Sequence, residues 1–263
     1  MHPYIELFNI RIAVFSLFIL FAASVCFLVY IINRKYTKGY IVLIIRFLFV
    51  ALVGAAVGGR LLSALTLLHS SQDSFIHNII YGGFVFYGGI LGGLISLFIY
   101  CKKTKIPFLD ICDVFASLMP IGQAIGRIGC YMNGCCYGFQ NDGFLTISYV
   151  LNEDNIRVFP TWFFESGFCL LLAIFFQVFY RSSKSGMHTA VYFIAYSLFR
   201  FIIEFFRGDN VRGVYGWIST SQIISIFLFV VGIYIIHISC KQNVYNELLY
   251  PRDRETENEK YMR

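Results

Sequence analysis

The sequence predicts an all-α integral membrane protein, a bundle of about seven transmembrane helices with the N-terminus outside and the C-terminus cytoplasmic. Three observations predict it. The 263 residues are 58% hydrophobic and only 14% charged, where a soluble domain is about 45–50% apolar and about 25% charged. Apolar runs recur at lengths near the roughly 20 residues that a spanning helix needs. Basic residues collect in alternate short loops, the pattern by which a bilayer protein marks its cytoplasmic side. A chain of this composition could not hide its apolar surface in one water-soluble core. A soluble enzyme, a nucleic-acid binder and a disordered chain are therefore excluded, and the net charge of +6 belongs to the loops.

The expected spans are residues 10–32, 41–68, 79–100, 109–130, 161–180, 187–206 and 218–239. The first run passes through Cys26 to Ile32, too long for a cleaved signal. The fourth is interrupted by Asp110, Asp113, Gln123 and Arg127. Arg34, Lys35 and Lys38 follow span one, Lys102, Lys103 and Lys105 span three, and Arg181 and Lys184 span five. These loops are read as cytoplasmic. The opposite loops hold few basic residues, and the longest, residues 131–160, lies outside with turn signals at Tyr137-Gly138 and Asp142-Gly143. Residues 1–240 form the membrane domain, and residues 241–263 a charged, solvated cytoplasmic tail.

Charge inside the spans is expensive, about 2.5–3.5 kcal/mol for Arg, Lys or Asp at a helix centre on translocon scales. Arg46 sits near the cytoplasmic end of its span, where it can snorkel. Arg60, Arg127, Glu165, Arg200 and Glu204 fall toward the outer leaflet, followed by Arg207. Arg200 and Glu204 are four residues apart, one turn on one helical face, and can pair. Arg60, Arg127, Arg200 and Arg207 exceed Glu165 and Glu204 by two charges. An anionic phosphate suits that surplus, because the guanidinium fork matches phosphate oxygens. Gly54, Gly58, Gly59 and the repeated glycines of "YGGFVFYGGILGG" give GxxxG spacings that let helix backbones approach closely. The hydroxyl of Tyr87, in front of the second glycine pair, can reach a polar partner.

The segment "DVFASLMPIGQAIGRIGCYMNGCCYG", Asp113 to Gly138, resembles the signature of the prolipoprotein diacylglyceryl transferases. Other blocks agree in order: "GGR" at Gly58, "FYGG" at Phe86, "PTWFFE" at Pro160, "FRFIIEFFRGD" at Phe199 and "ISTSQIIS" at Ile218. The resemblance covers spans two to seven. It implies a multi-pass enzyme of the bacterial cytoplasmic (inner) membrane. Such an enzyme moves the sn-1,2-diacylglyceryl group of phosphatidylglycerol to the lipobox cysteine of prolipoprotein signal peptides, and glycerol 1-phosphate leaves. It implies substrate-binding roles for Arg127, Arg60, Glu165, Tyr196, Asn133, Gly138 and Arg207, and catalytic roles for Arg200, Glu204 and Tyr87. The implied partners are the two substrates and the lipid bilayer, with no nucleic acid, no cofactor and no metal.

The chain departs from the family pattern at Tyr87, where His is usual, at Cys130, where Asn is usual, and at Cys135, where Glu is usual. Two other readings therefore stand beside the transferase: an altered member acting as a lipid-binding accessory protein, and a small-anion transporter. Cys130, Cys135 and Cys136 form C-x4-C-C. The paired spacing and neighbouring His of a zinc site are absent. Small polarizable packing residues are therefore the default reading for them, with a Cys130–Cys135 disulfide, a covalent lipid acceptor and a zinc site as the alternatives.

Overall fold

Runs of Leu, Ile, Val and Phe with few polar breaks make helices that are apolar on every side, which suits lipid rather than water. The computed structural model shows such helices. It describes residues 4–7, 10–32, 41–67, 77, 85–143, 145–151, 154–180, 184–208, 214–215 and 218–249. Among the described residues, six helices are long and apolar enough to cross a membrane: Val14–Ile32, Ile45–Leu65, Phe108–Met132, Thr161–Phe179, Met187–Phe206 and Thr220–Lys241. Large apolar side chains such as Leu20, Phe21, Phe49, Leu52, Leu171 and Phe227 are exposed on them, a lipid-facing surface that marks a multi-pass membrane protein.

The chain opens with an antiparallel hairpin, β1 (Tyr4–Leu7) and β2 (Ile10–Ala13). Helix α1 (Val14–Ile32) follows directly, so the first four residues of the expected span at 10–32 are strand. Helix α2 is Ile41–Leu67. The segment expected at 79–100 contains α3, Phe86–Thr104, and residues 78–84 lie outside the described residues. This helix is not among the six. Its four glycines dilute its hydropathy, and Lys102 and Lys103 enter its last turn.

Helix α4 (Phe108–Met132) matches its expected span in spite of the polar interruptions. The segment expected as a plain outer loop contains a second hairpin, β3 (Ile147–Leu151) with β4 (Asp154–Val158). Helix α5 (Thr161–Ile174) loosens into a π-helical turn at Phe175–Phe179. Helix α6 (Met187–Ile203) tightens into a 3-10 turn at Glu204–Phe206. A short pair, β5 (Val214–Tyr215) and β6 (Ile218–Ser219), leads into α7 (Thr220–Leu249). This last helix continues past Lys241, so the boundary expected there is not a helix end. Residues 250–263 of the expected tail lie outside the described residues.

The chain divides into two compact units, residues 31–111 and residues 1–30 with 112–263. In the first, α2 and α3 meet along a seam of small residues. A Cβ on Gly58 would strike the Gly88 carbonyl and the Gly92 Cα, and one on Gly92 would strike the Gly54 carbonyl. This is the close backbone approach that the GxxxG spacings suggested. Ser96 Oγ, facing the seam, donates to the Val50 carbonyl at 3.1 Å.

In the second unit, Ala116, Leu172, Phe176 and Tyr192 form a buried cluster from α4, α5 and α6. Polar side chains reach across to backbone carbonyls: Ser166 Oγ to Ala124 at 2.8 Å and Gln177 Nε2 to Ser117 at 2.9 Å. The Asp113 carboxylate, on α4, accepts from the backbone N–H of Gly186 and from the N–H and hydroxyl of Thr189 at 2.7–2.8 Å. It thus caps the start of α6 from another helix, satisfying donors that a helix N-terminus cannot pair internally. At α7 the cap is local: Ser219 and Gln222 exchange backbone and side-chain bonds at 3.0 and 3.2 Å, a capping box.

Two outcomes follow for purified protein in lipid nanodiscs. Gly58→Leu forces α2 and α3 apart and lowers the thermal midpoint by several degrees, whereas Leu at lipid-facing Val57 leaves it unchanged. Asp113→Ala orphans the α6 donors, costing about 1–3 kcal/mol, and Asp113→Asn recovers part of that loss.

Candidate active site

The site begins with periodicity. On α5 the buried face runs Thr161, Glu165, Cys169 and Leu172, at the i, i+4, i+8 spacing that keeps side chains on one stripe. Glu165 is therefore turned inward one turn from the helix start, and it is 2% exposed. On α6 the inward residues include Ser197, Arg200 and Ile203, and the 3-10 turn carries Glu204 inward as well. On α4, Arg127 lies in the last two turns.

These positions converge on one carboxylate. Glu165 Oε1 is 2.5 Å from Arg127 Nη2 and accepts the Tyr196 hydroxyl at 2.9 Å. Glu165 Oε2 accepts Arg200 Nη1 at 3.1 Å. The other branch of the Arg200 fork, Nη2, lies 2.8 Å from Glu204 Oε2 and donates to Ser221 Oγ at 3.2 Å. Arg207 Nη1 stands 3.9 Å from the same Glu204 oxygen. The result is a chain of alternating charge from Arg127 through Glu165, Arg200 and Glu204 to Arg207. The i, i+4 pairing of Arg200 with Glu204 is the one the sequence spacing anticipates.

A small backbone collar holds this chain's ends. The loop after α4, the segment before α5 and the segment after α6 hydrogen-bond to one another. Gly138 N–H donates to the Phe159 carbonyl at 2.9 Å, Phe139 N–H to Phe206 at 3.0 Å, and Gly208 N–H to Tyr137 at 3.2 Å. Gly138 also bridges antiparallel to Arg207. A Cβ on Gly138 would run into the Phe159 and Phe206 carbonyls, so only glycine allows this approach. The rings of Phe159 and Phe206 stack at 5.1 Å, and Phe159 stacks on Phe164 at 5.0 Å.

Of the sequence-predicted residues, Arg127, Glu165, Tyr196, Arg200, Glu204 and Arg207 come together, with Gly138 in the collar. Asn133 is exposed beyond the end of α4 and its side chain hydrogen-bonds Cys135. Arg60 is exposed on α2 and Tyr87 lies at the start of α3, both in the other unit. The Tyr87 side chain is outside the described residues.

Sequence reasoning missed two contacts. Ser221 reaches Arg200 from the first turn of α7, and the Ser-x-x-Gln cap beside it marked that helix start. Arg127 Nη1 also donates to Cys136 Sγ at 3.5 Å, and no linear pattern announces it. Cys130, Cys135 and Cys136 are free thiols, so the Cys130–Cys135 disulfide, one of the alternative readings, is not formed. Their sulfurs lie within 4.8 Å of one another, because the chain turns back through left-handed Gly134 and Cys136 and Cys135 N–H bonds the Cys130 carbonyl. Hydrogen bonds from Cys130 and Cys135, then the Arg127 and Arg207 guanidiniums, hold the Cys136 thiol below the usual thiol range, against the opposing effect of burial.

Comparison with known proteins identifies the family. The family model described as prolipoprotein diacylglyceryl transferase matches residues 3–238. A phosphatidylglycerol–prolipoprotein diacylglyceryl transferase of Clostridium tetani is 37% identical over 195 residues, covering 72% of this chain and 78% of its own. A second such transferase, from Clostridium perfringens, is 31% identical over 89% of this chain and 93% of its own. One from Rickettsia bellii is 33% identical over 73% and 76%. With a match spanning almost every described element, the chain belongs to the prolipoprotein diacylglyceryl transferase family.

Proposed function

We propose that this enzyme transfers the sn-1,2-diacylglyceryl group of phosphatidylglycerol to the lipobox cysteine of prolipoproteins, and that the buried Arg–Glu chain receives the lipid phosphate. The observation that carries the reading is a charge count. Three arginines against two glutamates leave one positive charge in the ion-pair chain, and a phosphodiester headgroup brings one negative charge. In a low-dielectric interior an unmatched charge is costly, so the chain favours an anionic lipid over a neutral one.

The reaction forms a carbon–sulfur bond and breaks a carbon–oxygen bond. The departing oxygen keeps the electron pair, and glycerol 1-phosphate leaves. Arginines fixed before the reaction stabilise that developing charge without having to reorganise. Arg127, paired with Glu165, and Arg207, beside Glu204, stand at the ends of the chain and clamp the phosphate. Arg200, held between Glu165, Glu204 and Ser221, neutralises the leaving group. Glu204 orients it from one branch of its fork and Glu165, itself held by the Tyr196 hydroxyl, from the other. Asn133 and Gly138 would shape the edge of the site; substrate-binding and catalytic roles for Arg60 and Tyr87 rest on the family resemblance alone.

The basic loops support an outside N-terminus and a cytoplasmic C-terminus, with α3 as a seventh span. That orientation puts the ion-pair chain near the outer leaflet of the bacterial inner membrane, where a lipobox cysteine arrives on its signal peptide.

Transfer to a lipobox peptide, assayed in vesicles containing phosphatidylglycerol, tests the assignment. Arg127→Ala and Arg200→Ala each reduce the rate about 100- to 1000-fold, the loss typical of one charge-stabilising donor. Arg200→Lys keeps the charge but cannot serve both glutamates and recovers only a small part. Full activity of Arg127→Ala would remove the phosphate-clamp assignment.

A further inference from the structure

The transferase reading leaves one cluster unused. Cys130, in the last turn of α4, and Cys135 and Cys136, in the loop beyond it, bring three sulfurs within 4.8 Å of one another. We propose that these three residues bind one zinc ion as thiolates and that the fourth position is taken by the thiol of the incoming lipobox cysteine. The inference rests on the transferase reading for its substrate, and it supplies a step that the ion-pair chain does not.

That step is removal of the thiol proton. A neutral thiol is a weak nucleophile and the thiolate is the reactive form. Among the described residues of the site, Glu165 is engaged by Arg127, Arg200 and Tyr196, and Glu204 lies against Arg200 and Arg207. Both carboxylates already serve as counter-ions. A metal-coordinated thiol, by contrast, is deprotonated outright.

The donor set and its geometry fit zinc. Sulfur ligands select soft or borderline ions such as zinc and copper(I). Zinc in a catalytic site commonly takes three protein ligands and leaves the fourth tetrahedral position to water or substrate. With zinc–sulfur bonds of about 2.3 Å, tetrahedral geometry sets the sulfurs about 3.8 Å apart. The greatest separation of 4.8 Å therefore closes by about 1 Å, within the reach of small side-chain rotations. The Cys135 N–H bond to the Cys130 carbonyl, at 3.1 Å, folds the loop onto the helix end. The side chain of Asn133 hydrogen-bonds Cys135, the kind of outer contact that orients a ligand.

The cluster is also adjacent to the phosphate clamp. Arg127 Nη1 donates to Cys136 Sγ at 3.5 Å while its Nη2 pairs with Glu165. A thiolate held on zinc here would face a phosphate held on Arg127, as displacement at the intervening carbon requires. The balance is complete. The lipobox thiol loses its proton to water on joining zinc, its sulfur bonds the glyceryl carbon, and the carbon–oxygen electron pair leaves with the phosphate. The thioether product carries no charge and is a weak ligand, so it departs.

The test uses the full chain purified in detergent under reducing conditions, with zinc content, cobalt(II) spectra and transfer rate measured separately. One zinc per chain is expected. Cys136→Ser, Cys130→Ser and Cys135→Ser each weaken it more than about 100-fold, while Cys240→Ser, on the far part of α7, leaves it unchanged. Cobalt(II) in place of zinc shows sulfur charge-transfer bands, and its visible bands shift when a lipobox peptide thiol is added but not when the serine peptide is. That shift needs no turnover, so it reads the site even if transfer fails for another reason. Chelation slows transfer at least about 10-fold and zinc restores it. Less than a tenth of a zinc per chain after zinc loading, or zinc retained by all three variants, overturns the site. A Cys–Cys disulfide in the active protein, or a chelated enzyme at full rate, overturns its catalytic role while leaving the transferase assignment intact.

Discussion

The arrangement of the helices around the site depends on one buried carboxylate. Glu165 is almost wholly removed from solvent, yet it is ionically matched on both oxygens by Arg127 from α4 and Arg200 from α6, with the Tyr196 hydroxyl beside them. Breaking such a pair from one side strands a charge in a low-dielectric interior, which is far more costly than never having placed the pair there. The same contacts that fix three helices therefore also fix the spacing of the arginines. Arg200 is equally constrained, because its fork spans Glu165 and Glu204 and also touches Ser221.

Around this core the protein uses backbone, not only side chains, to finish the site. The collar through Gly138, Phe159, Phe206 and Gly208 links three connections that are distant in sequence. Backbone groups of these irregular segments pair with one another, as polar groups taken out of water must. The collar's phenylalanines stack on one another, Phe159 against Phe139, Phe164 and Phe206. Asp113 solves a related problem at the other end of α6 by capping it from α4.

Much of this was legible in the sequence. Apolar run length located α2, α4, α5 and α6 closely, since in lipid a helix must satisfy its own backbone and its length is set by the bilayer. Depth within those runs picked out Arg127, Glu165, Arg200 and Glu204, because charge there demands a partner. The GxxxG spacing anticipated the α2–α3 seam. The hairpin at residues 4–13 escaped, because Ile10 to Ala13 reads as the start of an apolar run rather than as a strand. The collar was hidden because its hydrogen bonds join segments with no local signal for one another. The thiol cluster was discounted because its spacing is not a paired-cysteine motif. The turn at Gly134 and Cys136 brings the sulfurs together all the same, and only backbone geometry reveals that.

The alternating charge also constrains how the protein is made. During synthesis α4 emerges first and carries Arg127, α5 follows with Glu165, and α6 brings Arg200 and Glu204 last. Released singly into lipid, α4 and α5 would each carry a charge without its partner, a bias against leaving the insertion machinery alone. Retained together until α6 arrives, the three neutralise most of one another's charge. Biogenesis of this protein thus favours delivery of its central helices as a group, so a substitution at Glu165 acts on yield in the membrane before it acts on turnover.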